Sequence, residues 1–152
     1  MERILIVEDE QGIRDTLKDV LELSGYHVMM ACNGKQGYEK IMDAPPSLVL
    51  CDVNMPELGG FELLEMLNQR LKDELIPPFL FLTAKVEQEE MRYGMSLGAD
   101  DYICKPFRLV ELEVRILKWF NCFLTMDYNM GQKYLDYYSL KYSFSNNDFF
   151  IE

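Results

Sequence analysis

The chain has 152 residues, 49% of them hydrophobic, which is enough for one core-forming domain and an appendage. Its formal charge of −11 argues against a nucleic-acid surface on this chain, because phosphate contacts need clustered Lys and Arg. No apolar run reaches the roughly 18 to 20 residues that span a bilayer, and Met1-Glu-Arg-Ile opens with alternating charge rather than a secretory signal, so a cytoplasmic location without membrane contact is expected.

Ile4-Leu-Ile-Val7 is a short β-rich run, and Ile13, Leu17, Val20 and Leu21 then recur at helical spacing up to Ser24-Gly25. Tyr26 to Ala31 predicts a second strand, Asn33 caps a helix through about Met42, and Pro45-Pro46 breaks it before a third strand, Leu48 to Cys51. A third helix over Phe61 to Leu71, a fourth strand over Phe79 to Leu82 and a fourth helix from about Gln88 to Leu97 repeat the period. Tyr102-Ile-Cys predicts the fifth strand, and Lys105-Pro106 leads to a last helix with Leu109, Leu112, Ile116, Trp119 and Phe123 on one face. Strands that are apolar throughout, each followed by a helix, indicate a parallel sheet covered by helices on both faces. Cys32, Cys51, Cys104 and Cys122 are scattered without a C-x-x-C pair, so buried reduced thiols are expected rather than a zinc site or disulfides.

In such sheets chemistry gathers at the carboxyl ends of the strands. Those ends carry Glu8-Asp9, Asp52, Thr83-Ala84 and Lys105-Pro106. A lone acid closing the run Leu48-Val-Leu-Cys51 is costly unless it is paired or used. Adjacent carboxylates repel, so Glu8, Asp9 and Asp52 are jointly tolerable mainly around a hard divalent cation, and Mg²⁺ favours a few carboxylates plus waters. An ionised Asp52 can then act as a nucleophile toward a phosphoryl group, while Lys105 neutralises charge on the transferred oxygens. Thr83 can donate a hydroxyl hydrogen bond to the same oxygens, and the small Ala84 leaves room for the approach.

Glu8-Asp9, D52-x-x-M55-P56 with Gly59 and Gly60, Thr83-Ala84 and G98-A-D-D-Y102-x-x-K105-P106-F107 together resemble the receiver domain of bacterial two-component response regulators, the CheY-like family. The likeness covers roughly residues 2 to 121. It implies a doubly wound, flavodoxin-like α/β fold of strand order 2-1-3-4-5. It also implies Asp52 as the phosphoacceptor for a sensor histidine kinase, Mg²⁺ held by Asp9, Asp52 and the main-chain carbonyl of Asn54, and Glu8 acting through water. Thr83 and Tyr102 would be the switch pair, with the aromatic ring turning inward when Thr83 engages the phosphoryl group. The Lys105-Pro106 bond would be cis, aiming the ammonium at the site. Signal output would pass through the surface of the fourth and fifth helices and the fifth strand. Asp101, Glu111 and Arg115 fit a pairing face between copies there. Met91 and Leu97 stand where such receivers carry charge, so a solvated helix face is the alternative.

Plainer readings exist for single residues, such as Glu8 and Asp9 favouring a helix N-terminus, but they leave the shared location unexplained. His27, the only histidine, lies away from the cluster, so the chain is expected to receive a phosphoryl group rather than donate one from histidine. A phosphatase of the haloacid dehalogenase type would need an acid where Asn54 stands, and a nucleotide-binding module would need a glycine-rich loop where Glu8-Asp-Glu-Gln-Gly12 stands. The chain is therefore expected to catalyse only chemistry on itself. The expected organisation is a receiver over 1–121 and an aromatic-rich extension over 122–152, which holds nine of the 19 aromatic residues. Leu140, Tyr142 and Phe144 alternate with polar residues before Asn146-Asn-Asp148 and Phe149-Phe-Ile151, a pattern for a hairpin or for the start of a truncated output domain.

Overall fold

Every strand of the main sheet is built on an apolar run too short to be a stable helix alone. In the computed structural model, which describes residues 2–84, 88–121 and 150–151, these runs are β1 (Arg3–Val7), β2 (His27–Ala31), β3 (Leu48–Asp52), β4 (Phe79–Thr83) and β5 (Asp101–Cys104). They alternate with α1 (Gln11–Leu23), α2 (Gly34–Asp43), α3 (Gly60–Arg70) and α4 (Gln88–Ser96). The five strands form one parallel sheet in the order β2-β1-β3-β4-β5, the doubly wound fold expected from the motifs.

The central strands β3 and β4 are buried along their whole length. Successive side chains point to opposite faces. Leu5, Val7, Val49, Cys51, Phe79 and Phe81 join Ile41 of α2 and Leu63, Leu64 and Leu67 of α3 in one apolar cluster. Ile4, Ile6, Leu48, Leu50, Leu80 and Leu82 are equally buried and face the other way, the side to which α1, in contact with β1 and β2, brings the buried Leu17 and Leu21. A sheet wetted on neither face has only its strand ends open, so polar chemistry is confined there.

β3 and β4 each run one residue further than the pattern predicts, so Asp52 and Thr83 lie inside the ladder, Asp52 opposite Leu82 and Thr83 opposite Cys104. Pro77-Pro78 is preceded by a single 3-10 turn, Asp73–Leu75, that periodicity does not reveal. Among the described residues, no helix is long and apolar enough to cross a membrane.

The chain divides into two compact units, Met1–Lys105 and Pro106–Glu152. The second contains β6 (Phe107–Arg108), α5 (Leu109–Asn121) and β7 (Phe150–Ile151), with β6 and β7 antiparallel. Phe150–Ile151 pairs with Phe107–Arg108. The expected hairpin arm Leu140 to Phe144 lies outside the described residues, as does Phe123. On α5, Arg115 and Glu111 form an ion pair one turn apart at 3.8 Å.

The cap of α2 follows its predicted form. Asn33 accepts the N–H of Gln36 at 2.9 Å, and Gln36 Oε1 in turn accepts the N–H of Cys32 at 3.0 Å. Asn33→Ala is expected to cost about 1 kcal/mol, a fall in melting temperature of roughly 3 °C. An unchanged thermal transition would show that the cap contributes nothing.

Candidate functional site

The acidic corner is built from main chain first. The N–H of Glu8 donates to the carbonyl of Ala31 at 3.1 Å, extending the β1–β2 ladder past Val7. Arg14, reaching back from α1, donates to the carbonyls of Glu8 at 2.8 Å and Asp9 at 3.4 Å. Neither acid caps α1, whose N-cap is Glu10 without a side-chain cap bond. Glu8 instead turns inward, fully buried, with Oε1 accepting the N–H of Glu10 at 3.2 Å.

Asp52 ends β3 and is 8% exposed, with Oδ1 accepting the N–H of Asn54 at 3.3 Å. The turn after it is tight. Glu57 adopts a φ of 68°, a left-handed conformation that costs a non-glycine residue roughly 1 kcal/mol. At Gly60 a Cβ would stand 2.5 Å from the carbonyl oxygen of Asp52 and 2.8 Å from the ring of Phe81, so only glycine lets α3 start this close to the strand end. The same residue donates its N–H to the carbonyl of Val53 at 2.9 Å.

Lys105 closes the site from the end of β5. Its N–H donates to the carbonyl of Thr83 at 2.6 Å, which ties it to the end of β4. Its Nζ lies 3.1 Å from Glu8 Oε2 and 3.4 Å from Asp52 Oδ2, bridging one carboxylate just past the end of β1 and another at the end of β3. Burial works against the charge of Lys105, but Glu8 and then Asp52 more than offset it, so its pKa is raised. Glu8 is pushed up to about 7, by burial first and by repulsion from Asp52 second, with Lys105 and the N–H of Glu10 opposing. Cys51, buried behind Asp52, donates its thiol to the Asp52 carbonyl at 3.2 Å, and burial holds that thiol well above the ordinary range.

Carboxylate oxygens of Glu8, Asp9 and Asp52 all lie within 4.8 Å of one another, so this trio can hold a metal ion. An all-oxygen, anionic donor set suits a hard divalent cation. Asp9 is the most solvent-open of the three, and Asn54 is exposed beside Asp52. Thr83 is 1% exposed, and its hydroxyl has no hydrogen-bond partner among the described residues. Tyr102 is also buried, at 8% exposure, its ring turned in against Phe81 at a centroid distance of 5.3 Å. Burial and the nearby Glu90 push its phenol up to about 12.

The structure therefore brings Glu8, Asp9, Asp52 and Lys105 together, with Asn54 beside them and Thr83 tethered through its carbonyl. Asp101 opens β5, where Oδ1 accepts the N–H of Tyr102 at 2.8 Å, while Glu111 and Arg115 belong to α5. His27 is exposed on the edge strand. Arg14 is a site residue that pattern reasoning misses, because its acceptors are carbonyls, which every residue has.

The family model for the response regulator receiver domain matches residues 4–117. The transcriptional regulatory protein CrdR of Helicobacter pylori is 37% identical over 121 residues, covering 78% of this chain and 55% of that protein. The alkaline phosphatase synthesis transcriptional regulatory protein PhoP of Bacillus subtilis is 40% identical over 114 residues, covering 75% of this chain and 46% of that protein. The chain thus spans about half the length of the curated relatives it matches. Among solved structures, the non-phosphorylated HemR receiver domain from Leptospira biflexa is similar with a TM-score of 0.72 and 37% identity, covering 84% of this chain and 98% of that one.

The raised pKa of Glu8 has a sign that can be measured. Its folded value of about 7 exceeds the ordinary 4.5, so its contribution to stability is full below the lower value and is lost as pH rises through the upper one. In cation-free buffer, Glu8→Gln should therefore gain melting temperature relative to the unsubstituted protein between about pH 5 and about pH 8. A difference that stays flat across that range would mean that Glu8 titrates as an ordinary carboxylate.

Proposed function

The chain belongs to the response regulator receiver domain family, and on that premise we propose that it is a phosphorylation-controlled switch in which Asp52 accepts a phosphoryl group from a sensor histidine kinase. The observation that carries this reading is the ammonium of Lys105 set between Glu8 and Asp52, which keeps a buried carboxylate in reach of a cation at the open end of a strand.

In the transfer, an oxygen of Asp52 forms the new bond to phosphorus as the bond from phosphorus to the donor's histidine nitrogen breaks, and that nitrogen keeps the electron pair. Asp9, Asp52 and the Asn54 carbonyl would hold Mg²⁺, with Glu8 acting through water. The cation, when bound, supplies positive charge to the transferred oxygens. Lys105 supplies the second positive charge, and the shift of its pKa keeps it protonated. Glu8 and Lys105 orient each other, since a buried ammonium with one carboxylate partner removed would swing toward the other.

The hydroxyl of Thr83 is a buried donor lacking a partner among the described residues, and such a group is costly until an acceptor arrives. A phosphoryl oxygen on Asp52 would be that acceptor. Movement of Thr83 toward it would pass through β4 and β5 to Tyr102 and the surface of α4. The names of the two curated relatives make control of transcription the output class we favour, exerted through a partner or a further segment of the whole protein.

Incubation with Mg²⁺ and a small acyl phosphate should add one phosphoryl group, detected by intact-mass spectrometry. Asp52→Asn should remove the labelling, and Lys105→Ala should slow it roughly a hundredfold. Undiminished labelling of the Asn variant would sink the assignment.

A further inference from the structure

Interior glycine weakens a helix relative to alanine, so a buried glycine in a short helix calls for a packing reason. α4 has nine residues and Gly94 is its only buried one. A Cβ at this position would overlap the Tyr102 hydroxyl and stand 2.7 Å from both Tyr102 Cζ and Phe61 Cε1. Tyr102 does not rest against the flank of α4; its hydroxyl occupies the space of the missing side chain. Phe81 lies on the ring at 5.3 Å, and Phe61, edge-on to Phe81 at 5.3 Å and to Tyr93 at 5.4 Å, closes the recess from α3.

We propose that Gly94 is a positioning residue for the switch: the bare backbone at this point of α4 is the seat that admits the Tyr102 hydroxyl, so the inward ring position exists only while residue 94 has no side chain. The part played by that ring position in signalling rests on the function proposed above; the steric dependence does not. Because Gly94 is assigned no part in binding the cation or the phosphoryl group, its substitution should alter the ring position while leaving the chemistry at Asp52 in place.

A double-mutant cycle tests this on the full chain. Gly94→Ala alone should lower the melting temperature and move the Tyr102 ring resonances, read by NMR with selectively labelled tyrosine, toward those of a solvent-exposed ring. In a Tyr102→Ala background, where the Phe61 ring can withdraw into the space the tyrosine vacates, most of that loss should disappear. If Gly94→Ala alone does not fold but the double variant does, the coupling is demonstrated in its strongest form. An equal loss in both backgrounds, or failure of both variants to fold, would overturn the proposal by showing that position 94 needs glycine for reasons unrelated to Tyr102. Acyl-phosphate labelling of Gly94→Ala should stay within twofold of the unsubstituted rate. Absence of labelling in the unsubstituted protein would strike at the phosphoacceptor reading, while the thermal cycle would still decide the role of Gly94.

Discussion

One ammonium group stands between two buried carboxylates, and the architecture of the functional end follows from that. Glu8 and Asp52 lie close enough to repel, and neither is hydrated as it would be in water. Lys105 reaches both within 3.4 Å from a position 97 residues beyond Glu8 in the chain. A pair of buried acids without that cation would take up protons or open the sheet. Asp9, the most solvent-open of the three acids, completes the cluster at the same strand ends.

The scaffold fixes these groups largely through main chain. Arg14 grips two carbonyls of the acidic corner, Lys105 is tied to Thr83 through its amide, and Gly60 brings the start of α3 against the carbonyl of Asp52. Each tether acts on backbone, so the side chains of Glu8, Asp52 and Lys105 are left to interact with one another. A parallel sheet buried on both faces makes this economical, since its interior positions are taken by apolar residues and only the strand ends remain for charge.

Much of this could be read from residue order. The five strands were legible because a two-faced parallel sheet demands unbroken apolar runs, and the acidic cluster was legible because charges that end such runs need partners. Asn33 was legible as a cap because its side chain competes for backbone N–H groups. What escaped detection lacks a pattern. Arg14 serves carbonyls, and the pairing of Phe107–Arg108 with Phe150–Ile151 is too short to show a period. Gly94 matters for an atom it does not have, against a ring eight positions further on. The apolar pattern ends β3 and β4 one residue short because Asp52 and Thr83 are polar, and polarity marks a boundary only where no tertiary contact overrides it.

The burial of α4 has a thermodynamic corollary. Gly94 alone is buried along its nine residues, and Met91, Tyr93 and Met95 are open to solvent. A segment with so little apolar surface withdrawn from water has little free energy opposing its transient opening. Within the first unit, backbone amides of α4 should therefore exchange with solvent faster than those of α1, which buries Leu17 and Leu21, or of α3, which buries Leu63, Leu64 and Leu67. The helix that shelters the tyrosine is thus held by few apolar contacts of its own, so little free energy separates its native seating from a rearranged one.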